Sequence, residues 1–164
     1  MINFRKANEK DIGLIRELAE KSWNAAYKDI LKKDQIDYML AEMYSEEVVL
    51  SQIKSSNYQF YFMEKEQISA GFLGFENHYE ENTTKLHRIY LLKDFKGKGL
   101  GKLALKFLKE KVSAVSDHRI ILNVNKNNAA QKVYESQGFK VFAEGIFDIG
   151  NGYVMDDYFM EYHL

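Results

Sequence analysis

The sequence predicts an α+β fold in which a mixed β-sheet carries helices on both faces. Segments of helical and strand-like periodicity follow one another in the order β-α-α-β-β-β-α-β-α-β-β. The chain has 164 residues, a length that favours one domain, here residues 1–164. It contains no internal repeat, linker or low-complexity segment that would divide it.

The N-terminal third is predicted to be mainly helical. Ile2 to Lys6 is expected to form a short strand, and Asn8 is a good N-cap for the helix that follows. Apolar residues then recur at helical spacing from Glu9 to about Tyr27. Residues 34–43 and 45–54 are amphipathic and predict one or two further helices.

The middle of the chain is predicted to be β-structure. Residues 58–77 indicate two strands joined by a turn, and residues 85–92 indicate a third strand. Gly71 and Gly74 lie inside the second strand, where they predict a bulge or a close neighbour. The polar segment 78–84 is predicted to be a loop.

The C-terminal part alternates between helix and strand. Apolar spacing predicts a helix of about four turns from Leu100 to Val112, and residues 119–124 predict a buried strand. A short helix is expected next, capped by Asn127 and ended by Gly138 in left-handed geometry. The chain then closes with a hairpin around residues 150–152.

Composition excludes several classes of function. The net charge is −1 at pH 7, so no global attraction to nucleic acid or to an anionic membrane is expected. The chain has no cysteine, which excludes disulfides and thiolate catalysis, and we predict no metal site. No apolar run approaches the roughly 20 residues of a membrane span. The first residues lack an apolar signal core, so we expect a cytoplasmic protein.

The segment DFKGKGLGKLALKFL, residues 94–108, places a glycine-rich loop directly before a helix. Successive N–H groups of such a loop form an anion-binding concavity, and the helix N-terminus adds roughly half a positive charge. The loop therefore suits phosphate or pyrophosphate. A P-loop would need glycine at Lys96 and Ser or Thr at Leu103, and a dinucleotide-binding loop would need glycine at Lys102.

The pattern that fits this loop comes from the GNAT N-acetyltransferase superfamily. IYLLKDFKGKGLGKLAL resembles that family's acetyl-CoA-binding segment, with Lys96, Gly99 and Gly101 at its motif positions. Lys96 replaces the usual Arg or Gln, and Lys93 stands where the family often has Pro. The N-terminal segment KSWNAAYKDIL and the ending GYVMDDYFMEYHL resemble bacterial members, including polyamine N-acetyltransferases.

A second segment, NNAAQKVYESQGF, resembles the family motif N-x-x-A-x-x-x-Y-x-x-x-G-F. It follows the first motif after one predicted helix and one predicted strand, which is the usual distance in the family. The matching positions are Asn127, Ala130, Tyr134, Gly138 and Phe139.

The resemblance implies a GNAT-like, mostly antiparallel central sheet of about seven strands. It also implies that acetyl-CoA is the co-substrate and that a primary amine of a small molecule or peptide is the acceptor. The amine would attack the thioester directly while both substrates are bound. The residues that would bind the cofactor are Tyr90, Leu91, Leu92, Lys96, Gly97, Lys98, Gly99, Leu100, Gly101, Lys102, Asn127, Ala130 and Tyr134.

The reaction requires an acid at the leaving thiolate and a base for the amine. By resemblance, Tyr134 is the acid. Family members use a glutamate on the strand before the glycine loop, or water, as the base. The matching position here is His87, which could titrate near neutrality, and Glu76 is the reserve candidate.

The acceptor is expected to bind among the first helices, the strand ending at residue 77 and the last hairpin. Aromatic and acidic side chains suit an amine cation, and the candidates are Trp23, Tyr27, Glu76, Tyr79, Asp156 and Asp157. The aromatic-rich hairpin is also a candidate interface for a homodimer.

Two other functions remain open on the sequence. One is a catalytically silent domain that binds or senses acyl-CoA, which the intact Tyr134 argues against. The other is a nucleic-acid-binding module using residues 85–112, which hold nine lysine or arginine residues and two acidic ones. The balanced charge of the whole chain argues against that module.

Overall fold

The fold is built around one seven-stranded sheet. The computed structural model describes all 164 residues. The strand order is β1-β2-β3-β4-β5-β7-β6, and every neighbouring pair is antiparallel except β4 and β5. The predicted mixed, mostly antiparallel sheet is therefore confirmed. The strands are β1 (Ile2–Lys6), β2 (Tyr58–Lys65), β3 (Ile68–Glu80), β4 (Thr83–Leu91), β5 (Arg119–Asn125), β6 (Lys140–Gly150) and β7 (Tyr153–His163).

Five α-helices cover the sheet, and they lie on both of its faces, as predicted. The predicted element order had two helices before β2, whereas the structure has three. The first three pack on one face and the last two on the other, so the sheet separates two apolar cores. No helix is both long and apolar enough to span a membrane. The helices are α1 (Ile12–Ala26), α2 (Lys33–Met43), α3 (Glu46–Lys54), α4 (Leu100–Ala114) and α5 (Ala130–Ser136).

Strand alternation divides the side chains between the two cores. Successive side chains of a strand point to opposite faces of its sheet. In β2, Phe60 and Phe62 pack against the layer of α1, α2 and α3, whereas Tyr61 and Met63 pack against the layer of α4 and α5. Every residue of this run is buried, so both faces of the strand are apolar.

The first helical segment starts where the sequence predicts. The Asn8 side chain accepts from the Lys10 N–H at 2.9 Å, and the Asp11 carboxylate accepts from the Asn8 N–H at 2.9 Å. This reciprocal capping box satisfies two N–H groups that a helix start leaves free. The segment opens with one 3-10 turn, Glu9–Asp11, before α1.

The predicted loop at residues 78–84 is wrong, because β3 and β4 continue through it to a tight turn. The buried carboxylate of Asp117 binds this polar segment and holds it in the sheet. It accepts from the His78 N–H at 2.9 Å and from the Thr84 hydroxyl at 2.7 Å. Asn82 adopts the left-handed conformation that the turn requires, with φ of 53°.

The predicted cap of α5 is also wrong, because the N-cap residue is Ala129, which has no capping side chain. The Asn128 side chain, not that of Asn127, accepts from the Ala130 N–H, at 2.9 Å. The N–H of Asn127 instead donates to the buried Asn125 side chain at 2.9 Å, which leaves the Asn127 side chain exposed. The end of the helix is as predicted, with Gly138 at φ of +92°.

Candidate active site

The site begins where β4 and β5 diverge. These parallel strands pair only from Thr83–Leu86 to Arg119–Leu122, although β4 continues to Leu91 and β5 to Asn125. Beyond Leu86, the backbone edge of β4 therefore has no strand partner on the β5 side. A cavity of about 540 Å³ opens at this separation.

The cavity passes through the sheet from one helical layer to the other. On the α4 and α5 side it is lined by the glycine-rich loop, Leu105, Val133 and Tyr134. On the opposite side it is lined by Ser22 and Tyr27, which lie in and just after α1. Two molecules entering from opposite faces of the sheet can therefore meet inside it.

The glycine-rich loop presents a row of unpaired backbone donors at one end of the cavity. None of the six N–H groups from Gly97 to Lys102 donates to a backbone carbonyl, and the first such bond of α4 runs from the Leu103 N–H to the Gly99 carbonyl at 3.2 Å. Gly97 and Gly99 both have φ of +76°, and the space beside their Cα atoms is open. The start of α4 thus has the free N–H groups that an anion-binding site requires.

The lysines of the loop differ in their placement. Lys96 and Lys102 line the cavity. Lys98 lies outside the lining, and its ammonium is 5.7 Å from the centre of the Phe95 ring. Leu92 also lies outside the lining and packs against the core beneath α1.

The exposed edge of β4 is shaped by close packing and by a bulge. Gly74 of β3 pairs with Arg88 and Phe75 pairs with Leu86, so His87 has no partner on β3. Near the end of the strand, a Cβ on Gly71 would clash with the Tyr90 carbonyl. The two glycines therefore mark a bulge and a close neighbour, as the sequence predicts.

Tyr134 stands on α5 and contributes to the cavity wall. It is buried, and burial raises the pKa of its hydroxyl above the ordinary value, with a smaller contribution from Tyr27. Tyr134 therefore stays protonated throughout the neutral range. A protonated hydroxyl at this place can donate a proton to a leaving group in the cavity.

His87 and Glu76, the two candidate bases, form a pair. His87 Nε2 lies 3.0 Å from Glu76 Oε1, and the imidazole stacks on Tyr58 with ring centres 5.1 Å apart. Burial lowers the pKa of His87 to about 4, although the Glu76 carboxylate opposes this shift. The expectation that His87 titrates near neutrality is therefore wrong, because burial keeps the imidazole neutral above pH 5. Its Nδ1 lone pair is free if Nε2–H donates to Glu76. His87 lines the cavity and Glu76 stands behind it.

NMR titration of the histidine rings should show His87 titrating near pH 4, well below the ordinary value of about 6.5. Glu76→Gln should lower the pKa of His87 further, because the lost carboxylate favours the imidazolium. The chain has four histidines, and the spectrum of His87→Gln identifies the signal. Titration of His87 near 6.5 in the native protein would contradict this description of the pair.

Of the six predicted acceptor residues, only Tyr27 lines the cavity. Tyr79 lies edge-on to His87 at 5.6 Å and is half-exposed. Tyr27 lines the cavity, while Trp23 packs behind it with ring centres 4.7 Å apart and does not line the cavity. Asp157 is buried, whereas Asp156 is half-exposed and forms a 3.0 Å ion pair with Lys126.

Several lining residues escaped prediction. Asn128 lines the cavity, whereas Asn127 does not. The sequence did not predict this difference because it depends on the burial of the neighbouring Asn125. Asn123 and Ser22 also line it, and each lies in an element predicted from its apolar positions alone. The complete set of unpredicted lining residues is Ser22, Ala26, Leu86, Arg88, Ile89, Leu105, Leu122, Asn123, Val124, Asn128, Ala129 and Val133.

Free N–H groups at a helix start beside a strand with a free edge fit the site of an acyl-CoA-dependent transferase. The family model of the acetyltransferase (GNAT) domain matches residues 27–152. The chain belongs to the GNAT acetyltransferase family, whose members use acetyl-CoA as co-substrate. The predictions of family, fold and acetyl-CoA-dependent N-acetyltransferase class are thus confirmed.

Individual relatives agree with this assignment. A spermidine N(1)-acetyltransferase of Thermoplasma acidophilum is 29% identical over 148 residues, which cover 85% of this chain and 89% of that protein. An uncharacterised N-acetyltransferase of Lactobacillus delbrueckii subsp. lactis is 27% identical over 158 residues, covering 92% and 91%. The crystal structure of the T. acidophilum PaiA N-acetyltransferase with coenzyme A superposes with a TM-score of 0.85, at 25% identity over 100% of this chain and 99% of that chain.

Proposed function

We propose that the protein transfers an acetyl group from acetyl-CoA to a primary amine of a small molecule or peptide, by direct attack in a ternary complex. The observation that carries this proposal is the cavity that joins the two faces of the sheet. It lets the thioester enter from the glycine loop and the amine from the α1 side. No residue needs to carry the acetyl group between them.

The donor half would be held mainly by the backbone. The six N–H groups from Gly97 to Lys102 would bind the pyrophosphate, with added charge from Lys96 and Lys102. The free edge of β4, at Tyr90 and Leu91, would pair with the pantetheine amides as an added strand does. The side-chain contact with pantetheine predicted for Asn127 fits Asn128 better, because only Asn128 lines the cavity.

The chemistry requires one bond to form and one to break. The amine nitrogen adds to the thioester carbonyl, and an N–H of β4 would stabilise the resulting oxyanion by about 3 kcal/mol. The C–S bond then breaks, and Tyr134 gives its proton to the departing sulfur. The acceptor ammonium must lose one proton before it attacks, to His87, supported by Glu76, or to water, and the nitrogen loses a second proton to solvent after the addition.

The acceptor proposed on this site is an aliphatic amine cation of the polyamine type. The relative named as a spermidine N(1)-acetyltransferase favours that class. Two carboxylates, Glu76 and Asp157, and the aromatic rings of Tyr27 and Tyr79 lie on the α1 side of the sheet, where an ammonium group would enter.

Release of free CoA thiol from acetyl-CoA tests this function across polyamines, amino acids, aminoglycosides and short peptides. The protein has no cysteine, so it contributes no thiol background. Turnover confined to polyamines is the expected result, and turnover confined to another panel class would replace polyamines as the acceptor. Binding of acetyl-CoA without turnover of any amine would instead favour a silent acyl-CoA-binding domain.

A further inference from the structure

Asp157 is a buried carboxylate without a partner for one of its oxygens. It lies in β7 opposite Asn125 of β5, at the level where β5 has separated from β4. On its other side it pairs with Gly145 of β6, which has no side chain to cover it. Only 7% of Asp157 is exposed, and its Oδ1 is buried with no hydrogen-bond partner.

The groups around Asp157 leave its charge uncompensated. Burial, with a smaller contribution from the nearby Asp156, raises the pKa of Asp157 to about 6 against the opposing charge of Lys85. The Lys85 ammonium, however, lies 4.8 Å from the centre of the Tyr79 ring, and no cation pairs with Asp157. At pH 7.5 Asp157 is therefore mainly an unpaired carboxylate.

The carboxylate of Asp157 lies where it could bind a cation on the acceptor side of the cavity. Asp157 does not itself line the cavity, but it pairs with Asn125, which directly follows the lining residue Val124 in β5. Its charge also raises the pKa of the hydroxyl of Tyr27, which lines the cavity on the acceptor side. A buried charge without a partner is costly, so a ligand cation placed here gains an ion pair that water does not compete for. The Tyr27 ring adds a surface that also attracts cations.

We propose that Asp157 binds the ammonium group of the acceptor beside Tyr27 and so selects cationic amines. This inference rests on the proposed function, because the proposed function identifies the bound cation as the acceptor amine. Asp157 acts here by binding and orientation, and the proton steps remain with Tyr134 and with the His87–Glu76 pair. The site favours aliphatic ammonium over neutral or anionic acceptors.

Calorimetric titration of spermidine into CoA-saturated protein tests the inference without requiring turnover. Asp157→Asn should weaken spermidine binding by about tenfold or more, because a charged hydrogen bond is lost. Its affinity for CoA should stay within about twofold, because the pyrophosphate cradle is unchanged. The variant should fold, since an amide at a buried, unpaired position is easier to desolvate than a carboxylate.

Glu144→Gln is the matched control. Glu144 adjoins Gly145 on β6, is exposed and pairs with Lys126 at 3.2 Å, so this change removes one negative charge near Asp157 without touching the cavity. It should leave spermidine affinity within about twofold of native. Equal affinities of Asp157→Asn and Glu144→Gln for spermidine would overturn the inference, as would native protein that binds CoA but no spermidine. Spermidine binding that depends on Asp157 without any acetyl transfer would support the inference and reject the proposed function.

Discussion

Tyr134→Phe is expected to lower kcat by about 100-fold or more, since positioned proton transfer typically contributes that much. The phenyl ring keeps the packing against Phe139, whose ring centre lies 5.9 Å away, so the cavity should keep its shape. KM for acetyl-CoA should therefore change by about twofold at most. Steady-state kinetics of thiol release at saturating amine measures both quantities.

Tyr162→Phe is the control for loss of a hydroxyl on the same side of the sheet. Tyr162 packs against the core beneath α4 and α5 and does not line the cavity. Its replacement should leave kcat within about twofold of native. If Tyr134→Phe kept native kcat as Tyr162→Phe does, Tyr134 would not be the acid, and water would be the remaining donor to the sulfur.

Gly99→Ala is expected to weaken CoA binding by roughly 10- to 100-fold, which corresponds to about 1.4–2.7 kcal/mol. The residue has φ of +76°, where an alanine is strained by about 1–2 kcal/mol. Relief of that strain would rotate the N–H groups at the start of α4 away from the pyrophosphate. A new methyl would also occupy the open side of the cradle, and calorimetric titration of CoA measures the combined effect.

Gly152→Ala is the control that separates the effect of backbone strain from the effect of losing the anion-binding N–H groups. Gly152 has φ of +79° and open space around it, as Gly99 does, but it lies in the turn between β6 and β7. Both alanine variants should lose similar thermal stability, and only Gly99→Ala should lose affinity for CoA. Equal CoA affinities in the two variants would show that the loop does not bind the pyrophosphate through its backbone.

Local rules were enough for most of the fold. The capping box at Asn8, the left-handed Gly138 and the glycine pair in β3 depend on neighbours in sequence or on one adjacent strand. Periodicity predicted where most helices and strands lie for the same reason, although it missed the ends of β3 and β4. The donor half of the site was equally accessible, because residues 96–102 form one continuous segment at a helix start.

Predictions failed where distant residues decide the local structure. The polar segment at 78–84 pairs as a hairpin because Asp117, far along the chain, binds it. The Ala130 N–H at the start of α5 donates to Asn128 and not to Asn127, whose own N–H donates to Asn125. In each case the hydrogen bonds of a buried polar side chain outweigh local propensity. The burial of that side chain cannot be predicted from the residues next to it in the sequence.

The acceptor side was the least predictable part of the site. Tyr27 and Asp157 lie far apart in the sequence, and Asp157 acts on the Tyr27 hydroxyl only because β7 lies beside β5. Both were candidates because aromatic and acidic side chains suit an amine cation. Asp156 was a candidate for the same reason, but it pairs with Lys126. Strand alternation separates the two aspartates, since adjacent residues of β7 face opposite sides of the sheet.

A crystal structure of the protein with CoA is the most direct test of the central claim that the gap between β4 and β5 holds the thioester. The pyrophosphate is expected on the N–H groups of Gly97 to Lys102, the pantetheine along β4, and the sulfur within hydrogen-bond reach of the Tyr134 hydroxyl. A CoA molecule bound with its pantetheine outside the gap, or with its sulfur remote from Tyr134, would contradict the account.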